Sequence, residues 1–110
     1  MEHVVLSNLG QLAEIIKKSN HKPVLIFKHS TRCGISRSVR SKFESDLNEV
    51  ENVIYCYLDI LSNRSISNEI SEMFEVEHQS PQLIVIKGGI AVANFSHYDI
   101  VTKFYIKDYM

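Results

Sequence analysis

Apolar positions along this chain switch repeatedly between two spacings, and the order of the switches predicts the architecture. His3 to Leu6 is a short β-branched run suited to an edge strand. Asn8 with Gln11 three positions on is an approximate capping box, so a helix starts there. Leu9, Leu12, Ala13 and Ile16 follow at helical spacing and form its predicted inner face, with Lys17 and Lys18 at the negative end of the helix dipole. This helix stops between Asn20 and Pro23. Val24-Leu25-Ile26-Phe27 is then a continuous apolar run, the pattern of a strand buried on both faces, and it breaks at His29-Ser30-Thr31.

Ile35, Val39, Phe43 and Leu47 recur every four residues and predict a second helix from Cys33 to near Glu51. Val53 to Leu58 is the next strand. Asn63 to Ser65 can cap a third helix with Ile66, Ile70, Met73 and Phe74 inward. Leu83 to Ile86 and Ile90 to Phe95 flank Gly88-Gly89, a two-residue hairpin signal. Ser96 with Asp99 reads as a capping box opening a last helix to the C-terminus. Strands alternating with helices, then a hairpin and a helix, predict an α/β fold with a mixed central sheet and helices on both faces. That order resembles the order of a thioredoxin-like fold.

Composition narrows the function classes. At 110 residues there is room for one domain, expected to span 1–110, and the hydrophobic fraction of 45% is that of an ordinary globular protein. Lys and Arg number 12 against 13 for Asp and Glu, a balance that argues against nucleic-acid or membrane-surface partners. No apolar stretch is long enough to span a membrane, and Met1-Glu2-His3 does not open a signal peptide. Two cysteines make no disulfide framework, which predicts a reducing, cytoplasmic setting. The scattered histidines predict no metal site.

The chemistry concentrates at Cys33, where a strand hands over to a helix. Unpaired N–H groups and the positive end of the helix dipole favour a thiolate there. Between Lys28 and Lys42 lie Lys28, Arg32, Arg37, Arg40 and Lys42, with no Asp or Glu among them. Bases in the first turns of a helix oppose its dipole, which thiolate or anion binding would explain. A solvated helix face pairing with Glu44, Asp46, Glu49 and Glu51 is the alternative. In Cys33-Gly34-Ile35-Ser36 a serine takes the place of the second cysteine of a C-x-x-C pair, so no disulfide can close within the motif. The Ser36 hydroxyl, one helical turn on, is expected to donate a hydrogen bond to the Cys33 thiolate. Thr31 and Arg32 are expected to stabilise the thiolate as well. Cys56, between two tyrosines in a predicted central strand, reads as a buried and inert thiol.

The segment from Phe27 to Ser36, in a chain of this length and element order, resembles the monothiol bacilliredoxins of the YtxJ type. Their motif is Ser-Thr-x-Cys-Pro-Ile-Ser, matched here by Ser30, Thr31, Cys33, Ile35 and Ser36, with Gly34 in place of the family's proline. The resemblance implies a thioredoxin-like fold and removal of bacillithiol from S-bacillithiolated proteins, with Cys33 as the attacking thiol. Bacillithiol would be a co-substrate rather than a bound cofactor, and bacillithiol or another thiol would regenerate the enzyme. Ser80-Pro81 looks like the cis-proline turn that faces the redox cysteine, and Arg32 or Arg37 could pair with carboxylates of the small thiol. A glutaredoxin-type enzyme using another small thiol, or a thioredoxin-like binding module with a non-catalytic thiol, are the other readings.

Overall fold

The computed structural model describes residues 1–48 and 50–110. Glu49, one of the acids expected to pair with the arginines, lies outside the described residues. The elements in chain order are β1 (Glu2–Val5), α1 (Leu9–Lys18), β2 (Val24–His29), α2 (Gly34–Asp46), β3 (Ile54–Asp59), α3 (Arg64–Phe74), β4 (Gln82–Lys87), β5 (Ile90–Ser96) and α4 (Asp99–Thr102), followed by a 3-10 turn at Ile106–Tyr109. The five strands form one sheet in the order β1-β3-β2-β4-β5. β1, β3 and β2 run parallel, while β4 and β5 are antiparallel to their neighbours. The sheet is therefore mixed, as the β-α-β pattern followed by a hairpin requires.

Alternation along the central strands sends successive side chains into two different cores. Val24, Ile26, Cys56, Ile84 and Ile86 pack under α1 and α3 with Leu12, Ile15, Ile66 and Ile70. Leu25, Phe27, Tyr55, Leu83 and Val85 pack under α2 and α4 with Val39, Phe43, Leu47 and Ile100. β2 is buried along its whole length, which explains its unbroken apolar sequence. Gly88 and Gly89 make the β4–β5 turn at φ of 61° and 79°, values that favour glycine.

Three details of the sequence reading need correction, beside Met73, which is expected inward on α3 but is 46% exposed. In α1 the inward pair is Leu12 and Ile15, while Leu9 is 55% exposed and Ala13 is also exposed. The apolar stripe is wider than the contact, and packing selects one side of it. Second, α2 ends at Asp46 instead of near Glu51. Leu47 and Val50 both reach the core, and Val50 N–H bonds Leu47 C=O at 3.1 Å, turning the chain toward β3. Third, Ser96 closes β5 rather than capping a helix, and α4 lasts only four residues. Phe104 is drawn to Phe43 at 5.7 Å between ring centroids, and Tyr109 stacks on Phe104 at 5.8 Å, which bends the C-terminal segment off a helical path.

Candidate active site

Cys33 is the N-cap residue of α2, in extended backbone (φ −99°, ψ 120°), with its thiol half-buried. β2 ends at His29, and the turn Ser30–Cys33 closes through Cys33 N–H to Ser30 C=O at 3.1 Å. The cap carries no side-chain hydrogen bond to the helix N–H groups. The thiol thus sits at the positive end of a 13-residue helix.

Ser36 is fully buried, and its hydroxyl is committed inward. It accepts from Ser30 N–H at 3.2 Å and lies 2.7 Å from His29 Nδ1. Among the described residues no hydrogen bond joins it to Cys33, so the expected hydroxyl-to-thiolate bond is replaced by one to the sheet. The cause is helical geometry. Position 36 lies on the same inward stripe as Val39 and Phe43, the stripe that faces β2. His29 shares that face, with its ring 5.7 Å from Tyr57 and 6.2 Å from Phe27. Burial, together with the Arg40 charge, holds His29 below the usual histidine range, so the imidazole is neutral at pH 7.

The basic run separates into distinct roles. Arg40 pairs with Glu44 at 3.1 Å and lies 4.1 Å over the Tyr57 ring, and Lys42 pairs with Asp46 at 2.8 Å. Tyr55 O–H donates to the same Glu44 carboxylate at 2.7 Å. For these two cations the solvated-face reading holds. Lys28 is 0% exposed and points away, under α3. Arg32 and Arg37 are exposed beside the thiol and form no ion pair among the described residues. Arg37 Nη1 donates to Thr31 C=O at 3.0 Å, bracing the turn before Cys33. Thr31 is itself exposed. It joins His29, Arg37, Arg40, Ser41 and Glu44 around a shallow groove of about 370 Å³.

Ser80–Pro81 is a cis peptide bond, as the resemblance implied. Its place follows from the register. Gln82 pairs with Lys28, so Ser80 and Pro81 lie beyond that pair, beside the end of β2 from which Cys33 departs. The Ser80 hydroxyl is buried without a hydrogen-bond partner among the described residues. Cys56 is 0% exposed in mid-strand, opposite Ile26, and burial pushes its thiol up to about 12. It faces the α1 and α3 side of the sheet, whereas α2 covers the other side.

The sequence reading missed three residues. Lys28 reads there only as one charge in a run, and His29 and His78 only among scattered histidines. For Lys28 and His29 the signal is positional, two polar residues closing a strand whose other members are all apolar; His78 carries no such signal.

A half-buried thiol on a helix N-cap, with a cis-proline at the same end of the sheet, on this sheet order, defines a thioredoxin-like thiol oxidoreductase. The comparisons agree with that class. A thioredoxin-fold protein given as a candidate oxidoreductase is 32% identical, with 91% of this chain and 88% of that one covered at a TM-score of 0.80. Fasciola hepatica thioredoxin superposes at 0.78 with 23% identity over 96% of this chain and 94% of its own. Spinach chloroplast thioredoxin f superposes at 0.73 with 21% identity over 93% and 88%. These last two show the fold alone. The profile of the monothiol bacilliredoxin BrxC family matches residues 4–104, and the chain belongs to that family.

Proposed function

We propose that the protein removes bacillithiol from protein mixed disulfides through Cys33 alone, acting in a reducing, cytoplasmic setting as one domain over residues 1–110. The observation that carries this reading is the pairing of a half-exposed thiol on the α2 N-cap with a buried serine at the position of a resolving cysteine, in a chain of the BrxC family. The Cys33 thiolate attacks the bacillithiol sulfur of the mixed disulfide. That S–S bond breaks, the protein sulfur leaves as a thiolate and takes a proton from solvent, and a new S–S bond joins Cys33 to bacillithiol. A second thiol molecule, deprotonated, then attacks the bacillithiol sulfur and releases the Cys33 thiolate. The substrate and product disulfides balance, and no external oxidant enters.

In this scheme Arg32 and Arg37, which form no ion pair among the described residues, meet the carboxylates of the small thiol, while Arg37 also keeps the Thr31 turn in place. Ser36 acts through the backbone, fixing Ser30 and hence the turn that presents Cys33. Ser80, with its unpartnered hydroxyl, and Pro81 form the wall against which the incoming disulfide lies. No helix among the described residues is long and apolar enough to cross a membrane.

Intact mass after exposure to bacillithiol disulfide, and separately to glutathione disulfide, tests the reading, followed by turnover on a bacillithiolated protein. Adduct formation on Cys33 with faster release of bacillithiol than of glutathione supports it. Preference for glutathione would make the protein a glutaredoxin-type enzyme. An adduct that never turns over would make the thiol a modification site on a binding module.

A further inference from the structure

Lys28 is a fully buried ammonium with no carboxylate partner among the described residues. Such a charge is costly unless every N–H finds an acceptor. Three acceptors surround Lys28 Nζ: Ser67 C=O at 3.1 Å, Ser71 Oγ at 3.0 Å and His78 Nδ1 at 3.3 Å. The first two belong to α3. The third belongs to the segment between α3 and β4 that ends in Ser80–Pro81. Because Lys28 has no lone pair when charged, His78 Nδ1 must accept, which fixes the imidazole as neutral with its proton on Nε2. Ser67 Oγ reaches the same nitrogen at 3.3 Å.

The same segment has one other internal tie. Gln82, the β4 residue paired with Lys28, is buried and donates through Nε2 to Glu77 C=O at 2.9 Å, while its Oε1 receives Gln79 N–H at 3.4 Å. That tie links β4 to the residues just before it; over α3 the segment is held through His78, by Lys28 from β2 and Ser67 from α3, with Val76 N–H to Ser71 C=O at 3.1 Å where the segment leaves the helix. The groups facing Lys28 are thus Gln82 from β4, Ser67 and Ser71 from α3, and His78 from the connecting segment. Arg64 on α3 adds a second positive charge acting on His78.

We infer that Lys28 and His78 form a latch that positions the Glu77–Ser80 segment, and with it the Ser80–Pro81 wall, for docking of the protein part of the mixed disulfide. The inference rests on the proposed reaction only for its effect on turnover; the latch itself is a structural claim. Its polarity makes it sensitive to acid. A protonated His78 offers N–H where Lys28 needs an acceptor, so two donors and two positive charges oppose each other and the latch opens. Desolvation and the Lys28 and Arg64 charges hold His78 below the usual histidine range, in keeping with a closed latch at pH 7.

Three variants test this: Lys28→Met, His78→Ala, and His78→Asn, whose Oδ1 takes the place of Nδ1 without titrating. Amide hydrogen exchange over residues 77–80 gives a readout independent of activity. Tenfold or greater loss of protection is expected in Lys28→Met and His78→Ala, with His78→Asn near wild type. On a protein mixed disulfide, KM should rise at least fivefold in the first two while kcat stays within twofold. Wild-type KM should climb on the acid side of the ordinary histidine value of about 6.5, and that of His78→Asn should not. Unchanged protection in Lys28→Met and His78→Ala would overturn the latch, as would a His78→Asn variant as impaired as His78→Ala. A wild type with no thiol exchange at all would sink the proposed reaction, while the exchange protection would still decide the latch.

Discussion

His29 Nδ1 stands 2.7 Å from Ser36 Oγ, so the residue that closes β2 is tied to the first buried residue of α2. Between them the chain makes the turn that carries Cys33. The bond fixes helix to strand at the point where the thiol must be presented.

Removing that bond should cost stability. Ser36→Ala leaves Ser30 N–H and His29 Nδ1 without their partner in a buried site, a loss of about 1–3 kcal/mol. Denaturant titration measures it. Stability equal to wild type would mean that water replaces the hydroxyl.

The two thiols should differ sharply toward iodoacetamide. Cys33 is half-buried at a helix N-terminus, whereas Cys56 is fully buried and pushed up to about 12. Peptide mass spectrometry over time at pH 7 to 9 should find label on Cys33 alone, with Cys56 labelling only after denaturation. Comparable rates under native conditions would contradict the buried mid-strand position.

Ser36→Cys restores a C-x-x-C spacing. If the new side chain reaches Cys33, a mixed disulfide there is displaced internally and the protein accumulates with two hydrogens lost. Wild type should hold the small thiol as a stable adduct, because Cys56 lies in the core on the far side of the sheet from α2. Intact mass separates the outcomes. A two-hydrogen loss in wild type would make Cys56 the resolving thiol and overturn the one-cysteine scheme.

Arg32 and Arg37 are the two exposed cations flanking Cys33 in the chain that have no acid partner among the described residues. Replacing both by Gln should slow exchange with an anionic disulfide several-fold more than with a neutral one. Added salt should shrink the gap, since exposed charges are screened beyond about 10 Å at 0.1 M. Equal slowing of both substrates would assign the arginines to the turn rather than to substrate charge.

Lys28 also gives stability a pH dependence of known sign. Burial lowers its folded value to about 8 from an ordinary 10.5, so between those limits the unfolded chain binds the proton and the folded chain does not. Its contribution to stability therefore rises with pH from about 8 to 10.5. Cys56 acts oppositely above pH 9, because the folded chain keeps a proton that the unfolded chain loses. Subtracting the stability curve of Lys28→Met from that of wild type isolates the rising component. On the acid side, His29 and His78 are both lowered, so stability should fall as pH drops below the unfolded histidine value of about 6.5. A flat difference curve between pH 8 and 10.5 would mean that Lys28 is hydrated in solution.

The order of elements, the mixed sheet and the place of Cys33 at a strand-to-helix junction were all legible in the sequence, because each follows from local periodicity and turn residues. So was the burial of Cys56, since a thiol inside an apolar strand is buried whatever packs above it. The partners of the polar residues were not legible. Lys28 and His29 are neighbours in the chain, yet strand alternation sends them to opposite faces, one to α3 and the segment before Pro81, the other to Ser36. Their partners lie 7 to 50 positions away. A sequence therefore shows five cations as one run, while the fold separates them into a buried lysine under α3, two neutralised pairs and two arginines flanking Cys33 with no ion pair among the described residues. Local spacing determines which elements form; only packing decides which faces meet, because hydrogen bonds and burial depend on atoms that distant segments bring together.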